Sequence, residues 1–180
     1  MATATKSGVR TSATKTNANA TDNINTAPMR AKEIDIHQYI TVLNGFQGEL
    51  IYKSRKTGEL FTWEKFGEEQ EIELAELRDA KNSSKKFFIN NWFMFKPDDD
   101  WVIDFLGVRR FYKNSLGIDN FDEIFEKSPA EIKRVVSELS DGQKKSVMYR
   151  AKELISNGGI DSMKAVEALE DALSMEIIER

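Results

Sequence analysis

The segment ELIYKSRKTGELFTWEKF, residues 49–66, constrains the fold most, because two runs of β-prone residues flank a short turn. The turn lies at residues 56–58, and Gly58 can adopt the positive φ that many hairpin turns require. This pattern predicts a β-hairpin with a type I turn plus a bulge, or a similar turn. Alternation along the first strand puts Ile51 and Tyr52 on opposite faces of the hairpin.

Apolar segments before and after the hairpin in the sequence predict a larger β unit. An apolar stretch that starts at Ile34 ends at the turn signal Asn44-Gly45. After the hairpin, residues 70–74 alternate acidic and apolar side chains, as a half-exposed strand does. Because sequential strands joined by short turns usually pair, these segments predict an antiparallel meander. The following ELAELRDAKNSS, residues 73–84, is typical of a helix.

The segment KKFFINNWFMFKP, residues 85–97, contains the densest apolar run of the chain. It could form part of the core or an exposed platform on which bases stack. The core is favoured, because a small β unit needs these aromatic side chains to fill its interior. Two consecutive asparagines fit a buried strand poorly, so Asn90-Asn91 predicts a break. We therefore expect a helical turn at 85–90, capped by Ser84, and a closing strand at 92–95.

From residue 98 onward the pattern is helical. Ser128 and Glu131 form a capping box with proline at the first helical position, and Ser140 with Gln143 forms a second box of this type. The fold class predicted is α+β: a small antiparallel β-meander unit followed by a C-terminal helical bundle, with a flexible N-terminal arm. The predicted domains are the arm at 1–30, the β-rich unit at 31–97 and the helical domain at 98–180.

The N-terminal arm consists almost entirely of Ala, Thr, Ser, Asn, Lys and Arg, so it cannot form a core and should be flexible. Residues 1–30 carry a net charge of +3, and the rest of the chain carries −7. This arm is either a solubilising tail or a segment that becomes ordered on a neighbouring subunit or on nucleic acid.

The sequence contains none of the motifs that would indicate an enzyme. It has no cysteine and one histidine, His37, which excludes thiolate zinc sites and argues against histidine-based catalysis. Walker, G-x-G-x-x-G and G-x-S-x-G motifs are absent. The acidic run 98–100 could hold Mg²⁺, but a helix cap is the favoured interpretation. We therefore predict no catalytic residues, no metal ligands, no cofactor and no small-molecule substrate.

Nucleic-acid binding remains an alternative that is possible but not favoured. The predicted helix at 141–157 carries Lys144, Lys145, Arg150 and Lys152, which together with the basic arm could contact phosphates. Against this, residues 98–180 contain 12 basic and 18 acidic residues, and phosphate binding needs a positive face.

The sequence also indicates whether targeting signals or membrane spans are present. The N-terminal residues lack the apolar region of a secretory signal, although a transit peptide stays conceivable. No run approaches the roughly 18 consecutive apolar residues of a membrane span. We expect neither secretion by a signal peptide nor a membrane partner.

The stretch KSRKTGELFTWEKFGEEQEIELAELRDAKNSSKKFFINNWF resembles small proteins of unassigned function encoded by tailed bacteriophages. The resemblance covers about residues 50–95. It implies a virion structural or assembly protein without enzymatic activity, located in the virion or the host cytoplasm. Its partners would be other virion subunits or copies of itself. The Ala/Thr-rich arm is similar to the extended arms with which virion subunits contact their neighbours.

Overall fold

The computed structural model describes residues 34–178, which contain five strands and six α-helices. The predicted arm, residues 1–30, lies outside this part. The strands are β1 (Tyr39–Asn44), β2 (Leu50–Lys53), β3 (Leu60–Trp63), β4 (Glu69–Glu73) and β5 (Phe93–Phe95). The helices are α1 (Leu74–Ser83), α2 (Lys86–Ile89), α3 (Asp100–Phe105), α4 (Pro129–Glu138), α5 (Asp141–Ser156) and α6 (Met163–Leu173). Short 3-10 helices lie at Pro97–Asp99, Arg109–Phe111 and Phe121–Glu126.

The predicted hairpin is confirmed as the pair β2–β3. Its turn uses Gly58 at φ +78°, where any other residue would be strained. As the alternation predicted, Ile51 and Tyr52 lie on opposite faces. Tyr52 and Trp63 face the core, whereas Ile51 and Leu60 face solvent. The hairpin is therefore amphipathic, with a bulky aromatic inner face that must be covered.

The α+β class is confirmed, with antiparallel strands followed by helices, but the strands do not form a consecutive meander. β4 pairs with β1, which also pairs with β5, so the first sheet has the order β4–β1–β5 and the hairpin is a separate two-stranded sheet. The reason lies in the aromatic face of the hairpin. Trp63 packs its ring on Phe93 and donates its indole N–H to the carbonyl of Val42 at 3.0 Å. Burying this face across the sheet was favoured over pairing β3 edge to edge with β4.

The segment 85–97 contributes aromatic side chains to the core, as predicted. α2 is a single helical turn. Asn91, at φ +52°, separates this turn from β5. Phe87, Phe88 and Phe93 are all buried. The predicted Ser84 side-chain cap is wrong: Lys85 occupies the N-cap position of α2 without a side-chain cap bond, and Ser84 is the C-cap of α1, where its backbone N–H donates to the carbonyl of Ala80.

Two clusters of buried apolar side chains fill the described part of the chain, which from Asp35 onward forms one compact unit. The first cluster contains the sheets and continues through α3 to Tyr112, past residue 97. The second runs from Phe121 to Ile177 and is formed mostly by α4, α5 and α6. The division into domains at residue 97 stays a prediction.

From α4 onward, the helix caps follow the sequence with one exception. Ser128 and Glu131 form the complete capping box at α4, and Ser162 caps α6 by accepting from Ala165. At α5 only half of the predicted box exists. Ser140 accepts from the N–H of Gln143, but the Gln143 side chain binds the backbone of Leu116 instead of returning to the cap.

Candidate functional site

A buried carboxylate fixes the hairpin to α1. Glu76 accepts a hydrogen bond from the phenol of Tyr52 at 2.5 Å and another from the hydroxyl of Ser54 at 3.0 Å. Ser54 also accepts from the turn N–H groups of Lys56 and Thr57. Burial, and then the bond to Glu76, raise the pKa of Tyr52, so its phenol stays protonated and keeps donating. The network holds strand, turn and helix in one arrangement.

Replacing Tyr52 with phenylalanine should lower the free energy of unfolding by about 1–3 kcal/mol, because a buried oxygen of Glu76 loses its donor. Urea denaturation followed by circular dichroism measures the loss. The matched control is Tyr39→Phe, since Tyr39 is 68% exposed and its hydroxyl should contribute little. Equal stability of the two variants would contradict the role assigned to the network.

The outer face of this anchored hairpin presents two large apolar side chains to solvent. Ile51 is 52% exposed and Leu60 is 62% exposed. The register pairs Ile51 with Thr62 and Lys53 with Leu60, so the two apolar residues are diagonal neighbours on one face. A rigid element with an exposed apolar pair is a candidate surface for contact with another protein.

The four predicted nucleic-acid residues all lie on α5, but the structure divides them. Arg150 donates to Asp122 and Glu153, and these hydrogen bonds raise its pKa, so its charge is used within the protein. Lys145 and Lys152 are exposed, and Lys144 is half-buried. None of these three lysines forms an ion pair with a residue between 34 and 178. The available charge of α5 is therefore that of its lysines.

Sequence reasoning missed the contacts that join α5 to the β unit. The Ser146 hydroxyl donates to the carbonyl of Gly45 and accepts from the N–H of Gln47. One turn earlier, Gly142 lies against the backbone of Asn90. The available signal was a pair of small residues four positions apart, which lets a helix approach a neighbouring backbone closely.

Two acidic residues of α3 form ion pairs with one arginine. Arg109 donates to the carboxylates of Asp100 and Asp104 at 2.6–2.8 Å, and these bonds lower the pKa of both acids. The expected side-chain cap of α3 is absent, since Asp99 occupies the cap position without a side-chain bond to the helix.

Within residues 34–178, no group of three or more histidine and acidic side chains could hold a metal ion. His37 pairs with Glu73.

None of the described helices combines the length and apolar character needed to cross a bilayer. No family model matches the chain, and comparisons with curated proteins and with solved structures found no similar protein.

Proposed function

We propose that this protein is a non-enzymatic protein–protein interaction component. More specifically, we propose a structural or assembly protein of a tailed-phage particle, present in the virion or the host cytoplasm, whose N-terminal arm contacts neighbouring subunits. The observation that carries the proposal is the outer face of the hairpin, where Ile51 and Leu60 are exposed on an anchored element.

Exposed apolar side chains on a rigid element favour association with another protein. Apolar surface gains roughly 25 cal/mol per Å² when a partner removes it from water. Because the Tyr52–Glu76 bond already holds the hairpin, little further conformational entropy is lost on binding. The charge contrast along the chain adds to this: an arm of +3 on one copy is attracted to the −7 remainder of another copy.

Membership of a particle is tested on particles purified from an infected culture of the host. After washing at roughly 1 M NaCl, where the Debye length is only about 3 Å, the protein should stay at a fixed ratio to the coat subunit. Its complete release at this salt concentration would contradict a structural role, because purely electrostatic adsorption would be screened.

The contact surface is tested with the double variant Ile51→Thr/Leu60→Thr, which keeps β-prone residues in both strands. We expect incorporation into particles to fall at least about tenfold, since two apolar contacts worth about 1.5–3 kcal/mol each are weakened. The control is Met163→Thr, because Met163 is 51% exposed but belongs to α6 and not to the hairpin. Normal incorporation of the hairpin variant would exclude this face as the contact.

A further inference from the structure

Two lysine-bearing segments that are far apart in the sequence lie side by side in the fold. The first turn of α5 packs on the loop that follows α2, so closely that a Cβ on Gly142 would lie 2.2 Å from the carbonyl oxygen of Asn90. Lys86 belongs to α2, and Lys145 follows Gly142 by three positions on α5. The lysines of both segments therefore occupy neighbouring elements.

A row of aromatic side chains connects the two elements. The ammonium of Lys86 lies 5.7 Å from the ring centre of Trp92. Trp92 meets Phe46 with ring centres 6.3 Å apart, and Phe46 meets Tyr149 of α5 edge to face at 6.0 Å. Tyr149 ends the row and remains 48% exposed. The contact with Phe46 orients its ring while leaving much of it accessible to a ligand.

The exposed tyrosine is flanked by unpaired positive charges. Lys145 precedes Tyr149 by four residues and Lys152 follows it by three, so both share its helix face and lie about 10 Å apart along the axis. Lys86, Lys145 and Lys152 are all exposed, and none is ion-paired to a described residue. Two acids of α5 lie near this face, Asp141 a turn before Lys145 and Glu153 a turn after Tyr149. Glu153 is ion-paired with Arg150, so the three lysines leave the face positive. We call Lys86, Lys145, Tyr149 and Lys152 the lysine–tyrosine face.

We infer that the lysine–tyrosine face binds single-stranded nucleic acid. The lysines contact successive phosphates, and a base stacks on the exposed ring of Tyr149. An accessible ring between cations fits an unpaired base, whereas the bases of a duplex are already stacked on each other. The inference uses different residues from the proposed protein contact, so either can fail without the other. Arg150, which the sequence suggested as a phosphate contact, is not part of this face, because Asp122 and Glu153 neutralise its charge. Lys86 and Tyr149 take its place.

The charge component is tested by fluorescence anisotropy with the full chain and a labelled dT oligonucleotide of about 20 nucleotides, over a series of salt concentrations. The double variant Lys145→Gln/Lys152→Gln should weaken binding by about tenfold or more at low salt. Its slope of log affinity against log salt should become shallower by about 1.4, since each lost phosphate contact changes it by about 0.7.

The matched control is Lys127→Gln/Lys164→Gln, which removes the same net charge from exposed positions outside the face. Neither of these lysines is ion-paired to a residue between 34 and 178. This control also keeps the basic arm, so any binding by residues 1–30 affects both variants equally. Equal weakening in the two double variants would overturn the inference, as would the absence of binding by the unmodified chain at about 50 mM salt.

The stacking component is tested at Tyr149. Tyr149→Ser should weaken oligonucleotide binding by about tenfold, whereas Tyr149→Phe should retain the affinity, because only the aromatic ring is needed. A thermal melt of both variants checks that the edge contact with Phe46 does not control folding. Unchanged affinity of a folded Tyr149→Ser variant, or tighter binding of a duplex of equal length, would overturn the assignment to single strands.

Discussion

Replacing Phe93 with alanine should lower the free energy of unfolding by about 3–5 kcal/mol, the largest stability loss that we expect from a single truncation in this protein. Phe93 is completely buried on β5. Its ring centre lies 4.8–5.6 Å from those of Tyr52, Trp63, Phe87 and Phe88, so it joins the hairpin, α2 and the first sheet. Removing it leaves a cavity that three separate elements must fill.

Urea denaturation with tryptophan fluorescence measures this loss. An unchanged slope of the unfolding free energy against urea concentration shows that the transition stays two-state. The control is Phe105→Ala, because Phe105 is 36% exposed and packs by one edge contact on Trp101. We expect that variant to lose about 1 kcal/mol. If Phe93→Ala cost no more than Phe105→Ala, Phe93 would not be the centre of the aromatic cluster.

Replacing Gly142 with alanine should also destabilise the protein, although helix propensity alone favours alanine over glycine by about 1 kcal/mol. A Cβ at this position would lie 2.2 Å from the carbonyl oxygen of Asn90 and 2.5 Å from its Cβ. Relief of this clash requires α5 to move away from the loop, which also lengthens the bond from Ser146 to Gly45. We expect a net loss of about 1–3 kcal/mol.

The matched control is Ser156→Ala, because Ser156 is exposed and lies at the other end of α5 from Gly142. This change should stay within about 0.5 kcal/mol of the unmodified protein. Greater stability of Gly142→Ala would contradict the close approach. The variant also links to the inferred nucleic-acid surface, because a shifted α5 would separate Lys86 from Lys145 and weaken oligonucleotide binding.

Local elements were largely predictable because their signals lie within a few residues of one another. The turn at Gly58, the capping box at Ser128 and the break at Asn91 each depend on backbone preferences of the residues themselves. Strand alternation set Ile51 and Tyr52 on opposite faces of the hairpin. The structure decided that the face of Ile51 is the outer one.

Charge pairing was not predictable from the helix pattern. Arg150 looked equivalent to Lys145 in the sequence, but a residue 28 positions earlier, Asp122, binds it. Gln143 looked like the second half of a capping box, but its side-chain amide forms two hydrogen bonds with the backbone of Leu116, 27 positions earlier. In both cases a longer-range partner decided the role of the side chain, and no local periodicity contains that information.

By itself, the sequence determined that the chain contains an amphipathic hairpin, an aromatic core segment interrupted by two asparagines, and a series of capped helices. Only the tertiary structure decided that β4 pairs with β1, and that α5 lies against the loop after α2. The physical reason is that strand pairing and helix packing depend on which apolar faces meet to exclude water. That choice is made among elements tens of residues apart, after each has formed its own buried face.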